Sequence, residues 1–281
     1  MKSYRKLITP YAVWMSLFVV LPMFIILIYA LTTKGNDVVT LQLSLDNFKK
    51  FFDPVFIKVL LESLKIATVT TVICLIIGYP LAYIISRRSE KMQTLLILLV
   101  TLPMWINMLV RTYAWISILS DVGIINNILG FFGIPPIKMM YTDFAVILGM
   151  VYNFLPFMII QIYTVLSKMD ESLIQASHDL GANRFQTFRK VIFPLSLSGV
   201  ISGITLVFLP SLSTFIIPKF LGGGSYVLIG NLIENQFINI GDYNFGSAIS
   251  LIMAILILVS MHFAQRADKS NTDEVMKGGK I

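Results

Sequence analysis

Six stretches of this chain contain no Asp, Glu, Lys or Arg, and each is long enough to cross a bilayer. They are Leu7–Thr33, Ile66–Ser86, Met92–Val110, Phe144–Ser167, Val191–Pro218 and Tyr243–Gln265, of 27, 21, 19, 24, 28 and 23 residues. A helix rises about 1.5 Å per residue, so about 20 apolar residues cover the hydrocarbon layer. Backbone N–H and C=O groups find no water there, and a helix satisfies them within its own segment. The strict alternation that a barrel strand requires is absent. The expectation is therefore an all-α polytopic membrane protein with six transmembrane helices. It forms one domain over residues 1–281, with spans at about 7–33, 60–86, 92–119, 142–167, 191–218 and 243–265. Composition agrees, because only 13% of residues are charged, against about 25% in soluble domains.

The first run follows Lys2, Arg5 and Lys6 and invites comparison with a signal peptide. Its apolar part outlasts an h-region of about 7–15 residues, so it reads as a retained span. Basic residues are held on the side of synthesis. Placing the N-terminus, residues 87–91, residues 168–190 and the C-terminal tail in the cytoplasm puts 14 of the 22 Lys and Arg residues there. Both termini are expected inside. On the other side, the long segment 34–65 is expected to hold an amphipathic helix lying at the surface, with Phe48, Phe51, Phe52 and Phe56. Proline stands in or beside most spans, at Pro22, Pro80, Pro103, Pro156, Pro194, Pro210 and Pro218. Proline is common in membrane helices, but Pro103, Pro156 and Pro210 also suit helices bent around a shared cavity.

Several chemistries are disfavoured. The net charge of +7 comes from residues at the edges of apolar segments and forms no basic face for nucleic acid. Cys74 is alone, so no disulfide or thiolate site arises within the chain, and His178 and His262 offer no metal spacing. Gly222-Gly223-Gly224 lacks the following Lys-Ser/Thr of a phosphate loop, so no cofactor is expected and ATP would be handled elsewhere.

One cytoplasmic segment carries the functional argument. Asp170 and Glu171 suit a helix N-terminus, Gly181 suits the left-handed residue that stops it, and a second short helix ends at Arg189 and Lys190. On a helical wheel Leu173, Ala176, Ser177 and Leu180 share one face, with Phe185 and Phe188 beyond the glycine. Such a stripe suits a helix held in a partner's groove, and equally a helix lying in the headgroups.

The segment resembles the EAA loop of ABC-importer permeases, whose pattern is Glu-Ala-Ala, three residues, Gly, nine residues, then Ile-x-Leu-Pro or a close variant. Here Gln175-Ala176-Ser177 precedes Gly181 by three residues, and Val191-Ile192-Phe193-Pro194 follows after nine. Gln175, Ser177 and Val191 depart from the pattern, while Asp179 supplies a nearby acid. Further similarity to the permeases of spermidine/putrescine importers lies in Leu45-Asp46-Asn47-Phe48, Gly78-Tyr79-Pro80 and Leu102-Pro103-Met104-Trp105-Ile106-Asn107 with Arg111. It continues in Leu155-Pro156-Phe157, Asp179-Leu180-Gly181-Ala182 and Leu228-Ile229-Gly230-Asn231-Leu232-Ile233.

The resemblance implies a type I importer permease (MetI-like) fold in a bacterial cytoplasmic membrane. Its partners would be a second homologous permease, two ATPase subunits and an external substrate-binding protein. It further implies that Leu173, Gln175, Ala176, Ser177, Asp179, Leu180, Gly181, Phe185 and Pro194 couple to the ATPase. For a polyamine, aromatic faces and acceptors are expected around a polycation, with candidates Trp105, Asn107, Tyr113, Trp115, Tyr152, Asn153, Asp143 and Asp242. Aromatic residues near span ends equally serve as interfacial anchors. Two rival classes remain: an ion-coupled secondary carrier, against which the charge-free runs speak, and an assembly factor with no substrate.

Overall fold

The computed structural model describes residues 2–33, 42–224 and 226–278, with side chains described from residue 9 to 262 within these and at 266. The part of the long loop at residues 34–41 and the end of the C-terminal tail lie outside the described residues. The architecture is helical: α1 (Lys2–Met15) and α2 (Leu21–Ala30), joined by a π-helical turn, then α3 (Asp46–Phe51), α4 (Pro54–Ser86) and α5 (Glu90–Thr101). After these come α6 (Met108–Leu119), α7 (Ile124–Phe131), α8 (Asp143–Leu166), α9 (Glu171–Asp179) and α10 (Arg184–Thr187). The chain closes with α11 (Phe193–Ser213), α12 (Ile216–Leu221), α13 (Ile229–Glu234) and α14 (Tyr243–Gly278). Among the described residues six helical stretches are long and apolar enough to cross a membrane: Thr9–Ala30, Pro54–Ser86, Met108–Phe131, Asp143–Leu166, Arg184–Ser213 and Tyr243–His262.

The centre of the molecule is the packing of α4, α8 and α11. Ile66, Cys74, Met150, Met158, Ile162 and Val207 are sealed in one apolar cluster there. Backbones approach closely because a small residue stands at the crossing. A Cβ on Gly199 of α11 would lie 2.9 Å from the Gln161 carbonyl oxygen and 3.1 Å from the Ile162 Cα, both on the α8 backbone. Small residues at such crossings substitute for the hydrophobic force that lipid does not supply. The first span stands outside this core and packs on α14. Asn244 fastens it by placing Nδ2 3.0 Å from the carbonyl oxygens of Tyr29 and Thr32, and Asn47 Nδ2 donates to the Thr32 carbonyl at 2.9 Å.

Three boundaries differ from the sequence expectation. First, the helix expected at the membrane surface is only α3, and it is docked on the bundle. Phe51 is buried, and Phe56, already on α4, meets Phe245 of α14 edge-on at 4.9 Å, leaving Phe52 as the ring that faces outward. Second, the third charge-free run is not one helix. α5 ends in a 3-10 turn at Leu102–Trp105, Ile106 is extended, and the side chain of Asn107 accepts from Leu109 N at 2.8 Å to start α6. Pro103 lacks the N–H that would continue the ladder, and Asn107 offers the new helix its cap. The long stretch here is consequently Met108–Phe131 rather than 92–119.

Third, α11 ends at Ser213 instead of reaching Pro218, and Thr214 is extended. The connection that follows is stitched to the core: Asn231 Nδ2 donates to the Phe215 carbonyl, and Ile229 N donates to the buried Ser63 hydroxyl, each at 2.8 Å. Lys219 and Glu234 form an ion pair between α12 and α13. Irregular backbone is tolerated where protein groups satisfy it.

Candidate functional site

The segment between α8 and α11 is built from its own sequence signals. Asp170 caps α9 by accepting from Ser172 N at 2.9 Å. That backbone donor, followed by the Ser172 side chain, holds the Asp170 carboxyl below the ordinary carboxylate range. The far end is closed by two bonds, Gly181 N to His178 O at 2.8 Å and Ala182 N to Ser177 O at 3.0 Å, with Gly181 at φ +80°. This is the Schellman arrangement, which satisfies the last carbonyls of a helix through a left-handed residue. Asn183 and Gln186 then exchange side-chain and backbone bonds in a capping box that starts α10. A π-helical turn at Phe188–Ile192 leads into α11, where Pro194 occupies the first turn and its missing N–H leaves the preceding ladder to widen.

Packing decides which side of α9 is open. Ser177 turns inward, and its hydroxyl meets that of Thr187 at 2.6 Å with both side chains buried. Ile174 packs on the main cluster, and Arg87 at the end of α4 reaches toward Glu171 at 4.0 Å. Phe188 also turns inward, edge-on to Tyr79 at 5.7 Å and Tyr83 at 6.2 Å. Ser177 and Phe188, expected on the outer stripe, are therefore the ties that fasten the loop to the spans. Outward-facing apolar groups remain: Leu173 is 45% exposed, Leu180 89% and Phe185 70%. Gln175, Ala176, Asp179 and Gly181 are exposed beside them, whereas Pro194 is half-buried and serves helix geometry. Burying Leu173, Leu180 and Phe185 against a partner would supply about 1.5–3 kcal/mol each.

The residues named for a substrate path fall into separate places. Trp105 is 76% exposed at the break of the third span, with Asn107 next to it as the cap of α6. Tyr113 stacks against Phe220 of α12 at 5.2 Å, and Tyr152 of α8 receives Trp115 edge-on at 5.4 Å. Asn153 is 3% exposed; its Nδ2 donates to Gly149 O at 2.8 Å and its Oδ1 has no hydrogen-bond partner. Asp242 stands apart, at the head of α14, where Oδ1 accepts from Phe245 N at 3.1 Å and Lys50 approaches at 3.9 Å. Asp143, at the start of α8, approaches Lys65 at 3.8 Å. Arg111, on the first turn of α6, belongs to the stretch that resembles spermidine/putrescine-importer permeases and not to that set.

The chain matches the family described as binding-protein-dependent transport system inner membrane component over residues 75–270. It is 38% identical over 267 residues to the spermidine/putrescine transport system permease protein PotB of Salmonella typhimurium (strain SL1344), covering 92% of this chain and 93% of the relative. The PotB of Escherichia coli (strain K12) is 38% identical over 259 residues, covering 91% and 94%. Among solved structures, a chain of a bacterial alginate ABC transporter in complex with its alginate pentasaccharide-bound periplasmic protein superposes with a TM-score of 0.77 at 18% identity, covering 93% of this chain and 92% of that one. The fold is thus that of ABC-importer permeases.

Proposed function

Because the chain belongs to the family of binding-protein-dependent transport system inner membrane components, we propose that it is the membrane-spanning permease subunit of an ATP-driven importer for polyamines such as spermidine and putrescine. It works beside a second, homologous permease, two ATPase subunits that hydrolyse ATP, and an external substrate-binding protein. Both termini and residues 168–190 face the cytoplasm.

The observation that carries this reading is the open apolar face of Leu173, Leu180 and Phe185 on a loop tied down from behind by Ser177, Thr187 and Phe188. A rigid element with an exposed apolar side is suited to carry force: ATP-driven closure of the ATPase pair displaces α9, and the buried ties transmit that displacement to α4 and α11. The spans then alternate between inward-open and outward-open states, and substrate delivered by the binding protein passes between them. The polyamine assignment is supported by the 38% identity to two PotB proteins over nine-tenths of the chain. In this reading Trp105, Tyr113 and Tyr152 offer faces to alkylammonium groups, and Asn107 and Asn153 offer amide oxygens.

The test is a double substitution, Leu180→Glu with Phe185→Glu, in the assembled transporter. Two lost apolar contacts correspond to at least a hundredfold weaker docking, on the order of 3 kcal/mol or more. The expected result is a chain present at normal abundance in the membrane that no longer co-purifies with the ATPase. Undiminished co-purification would sink the docking role. In lipid nanodiscs, spermidine-loaded binding protein is expected to stimulate ATP hydrolysis by the wild-type complex and not by the variant.

A further inference from the structure

Beyond the end of α11, at the end of the bundle away from α9, the connection to α14 holds a cleft of about 220 Å³. It is lined by Lys219 of α12, by Tyr226, by Asn231 and Glu234 of α13, and by Asn235 and Asn239 of the π-helical turn that follows. Both short helices are fixed from behind. Ile217 and Leu221 are fully buried against Gly149 of α8, where a Cβ would press on both. Ile229 N and Asn231 Nδ2 tie α13 to the Ser63 hydroxyl and the Phe215 carbonyl, each at 2.8 Å. Widened helical turns such as the one at Asn235–Ile240 recur at functional sites.

The charges in the cleft are unequally placed. Glu234 and Lys219 form an ion pair, yet the Glu234 side chain is 13% exposed and the Lys219 side chain 48%. The carboxylate therefore stays in the wall, whereas the ammonium rides on a flexible four-carbon stem that solvent already reaches. A carboxylate accepts several hydrogen bonds, and Lys219 occupies Oε1. Asn239, which donates to Asn235 Oδ1 at 2.8 Å, adds its own amide oxygen as an acceptor. Behind Tyr226, whose hydroxyl is bonded to Asp143, Asp143 and Glu62 share Lys65 at 3.8 and 3.1 Å. Three carboxylates thus stand against two ammonium groups in these pairs, a balance that draws a further cation toward the cleft.

We infer that Glu234 is a subsite for a primary alkylammonium group of the substrate, and that Lys219 is the internal ammonium which the substrate displaces from it. A lysine side chain is a four-carbon chain ending in ammonium, the same group as one arm of putrescine or the aminobutyl end of spermidine. The ion pair accordingly shows the ligand's chemistry already seated. Exchange of one ammonium for another keeps the largely buried carboxylate paired, which avoids the cost of an orphaned charge. At about 220 Å³ the cleft is smaller than a drug-sized site, so it takes one end of an extended polyamine. Glu234 as a substrate subsite rests on the polyamine reading, and the proposed topology turns the cleft toward the binding protein.

The experiment illuminates the complete complex in lipid nanodiscs with a diazirine-bearing spermidine analogue and locates adducts on this chain by peptide mass spectrometry. Adducts are expected within residues 219–239. Glu234→Gln, which removes the charged acceptor, is expected to lower their yield about tenfold, and Lys219→Met, which removes the competing ammonium, to raise it several-fold. A purely structural tie predicts a different pattern: both single variants lose labelling alike, and the exchanged pair, Lys219→Glu with Glu234→Lys, restores it. That pattern overturns the inference, and so does labelling of the cleft that Glu234→Gln leaves unchanged. If Glu234→Gln does not assemble, competition on the native complex decides. Putrescine is then expected to suppress the adducts and the neutral diol of the same length to leave them, and equal effects of the two overturn the inference. Stimulation of ATP hydrolysis by spermidine-loaded binding protein, with no adduct in the cleft, sinks the subsite and leaves the importer reading standing. Adducts there in a complex that the loaded binding protein does not stimulate count against the importer reading and leave the alkylammonium subsite standing.

Discussion

Gly181 and Asp170 define the two ends of α9 by different physics. Gly181 sits at φ +80°, and a Cβ there would meet nothing within 4 Å, so backbone strain alone resists substitution. The left-handed conformation costs a β-branched residue about 1–2 kcal/mol or more, whereas asparagine adopts it at small cost. Gly181→Val is expected to cut ATPase co-purification several-fold, and Gly181→Asn to restore most of it. If the two variants behave alike, the strain argument fails. Asp170 is an N-cap whose carboxyl is held below its usual range by Ser172, so its contribution is present above the ordinary carboxylate value. It is lost only as pH falls through the lowered folded-state value. Docking should therefore be flat from about pH 8 to pH 5 as far as Asp170 is concerned, while Asp170→Ala weakens α9 at every pH in that window by removing its cap. Amide exchange across residues 174–178 measures it. Both ends were legible in the sequence because caps and stops are local. The inward turn of Ser177 was not, because its partner Thr187 lies ten residues on, beyond the glycine.

At the scale of elements, long helices and short interruptions carry different roles. The crossing of α8 and α11 at Gly199 depends on the absence of a side chain, since a Cβ would press on the Gln161 carbonyl. Gly199→Val is expected to push the helices apart and cost about 1–3 kcal/mol, seen as a lower unfolding temperature of the detergent-solubilised protein. An unchanged temperature would mean that the crossing is looser than its geometry. The break between α5 and α6 is an element too, because it turns one apolar run into two helices and presents Trp105 and Asn107 at the joint. Counting uncharged residues could not find it. Hydropathy records transfer cost, and neither Pro103 nor Asn107 raises that cost enough to interrupt a run. The short helices α12 and α13 escaped for the same reason: their termini are set by Ser63 and Asn231, contacts that no window along the chain contains.

As a whole molecule, the chain is a packed core of α4, α8 and α11 with much apolar surface turned outward, as a solvent of lipid and partner spans requires. Its orientation is open to direct measurement, because the lone Cys74 is buried and leaves a silent background for labelling. A cysteine replacing Ser172 is expected to react with a membrane-impermeant thiol reagent only in inverted vesicles, and one replacing Val122 only from the outside of intact cells. Labelling of both from one side would overturn the proposed topology. The sequence by itself determined the helical class, the apolar helical segments in outline and the short capped helix between the fourth and fifth of them, since each depends on chemistry confined to a few neighbouring residues: apolar transfer, capping and a glycine stop. Only the tertiary structure decided which face of α9 stays open, where the third and fifth spans stop, and that Nε and Nη1 of Arg111 are covered without a hydrogen-bond partner among the described residues. Those outcomes are settled by contacts between residues far apart in the chain, whose energies no local pattern encodes.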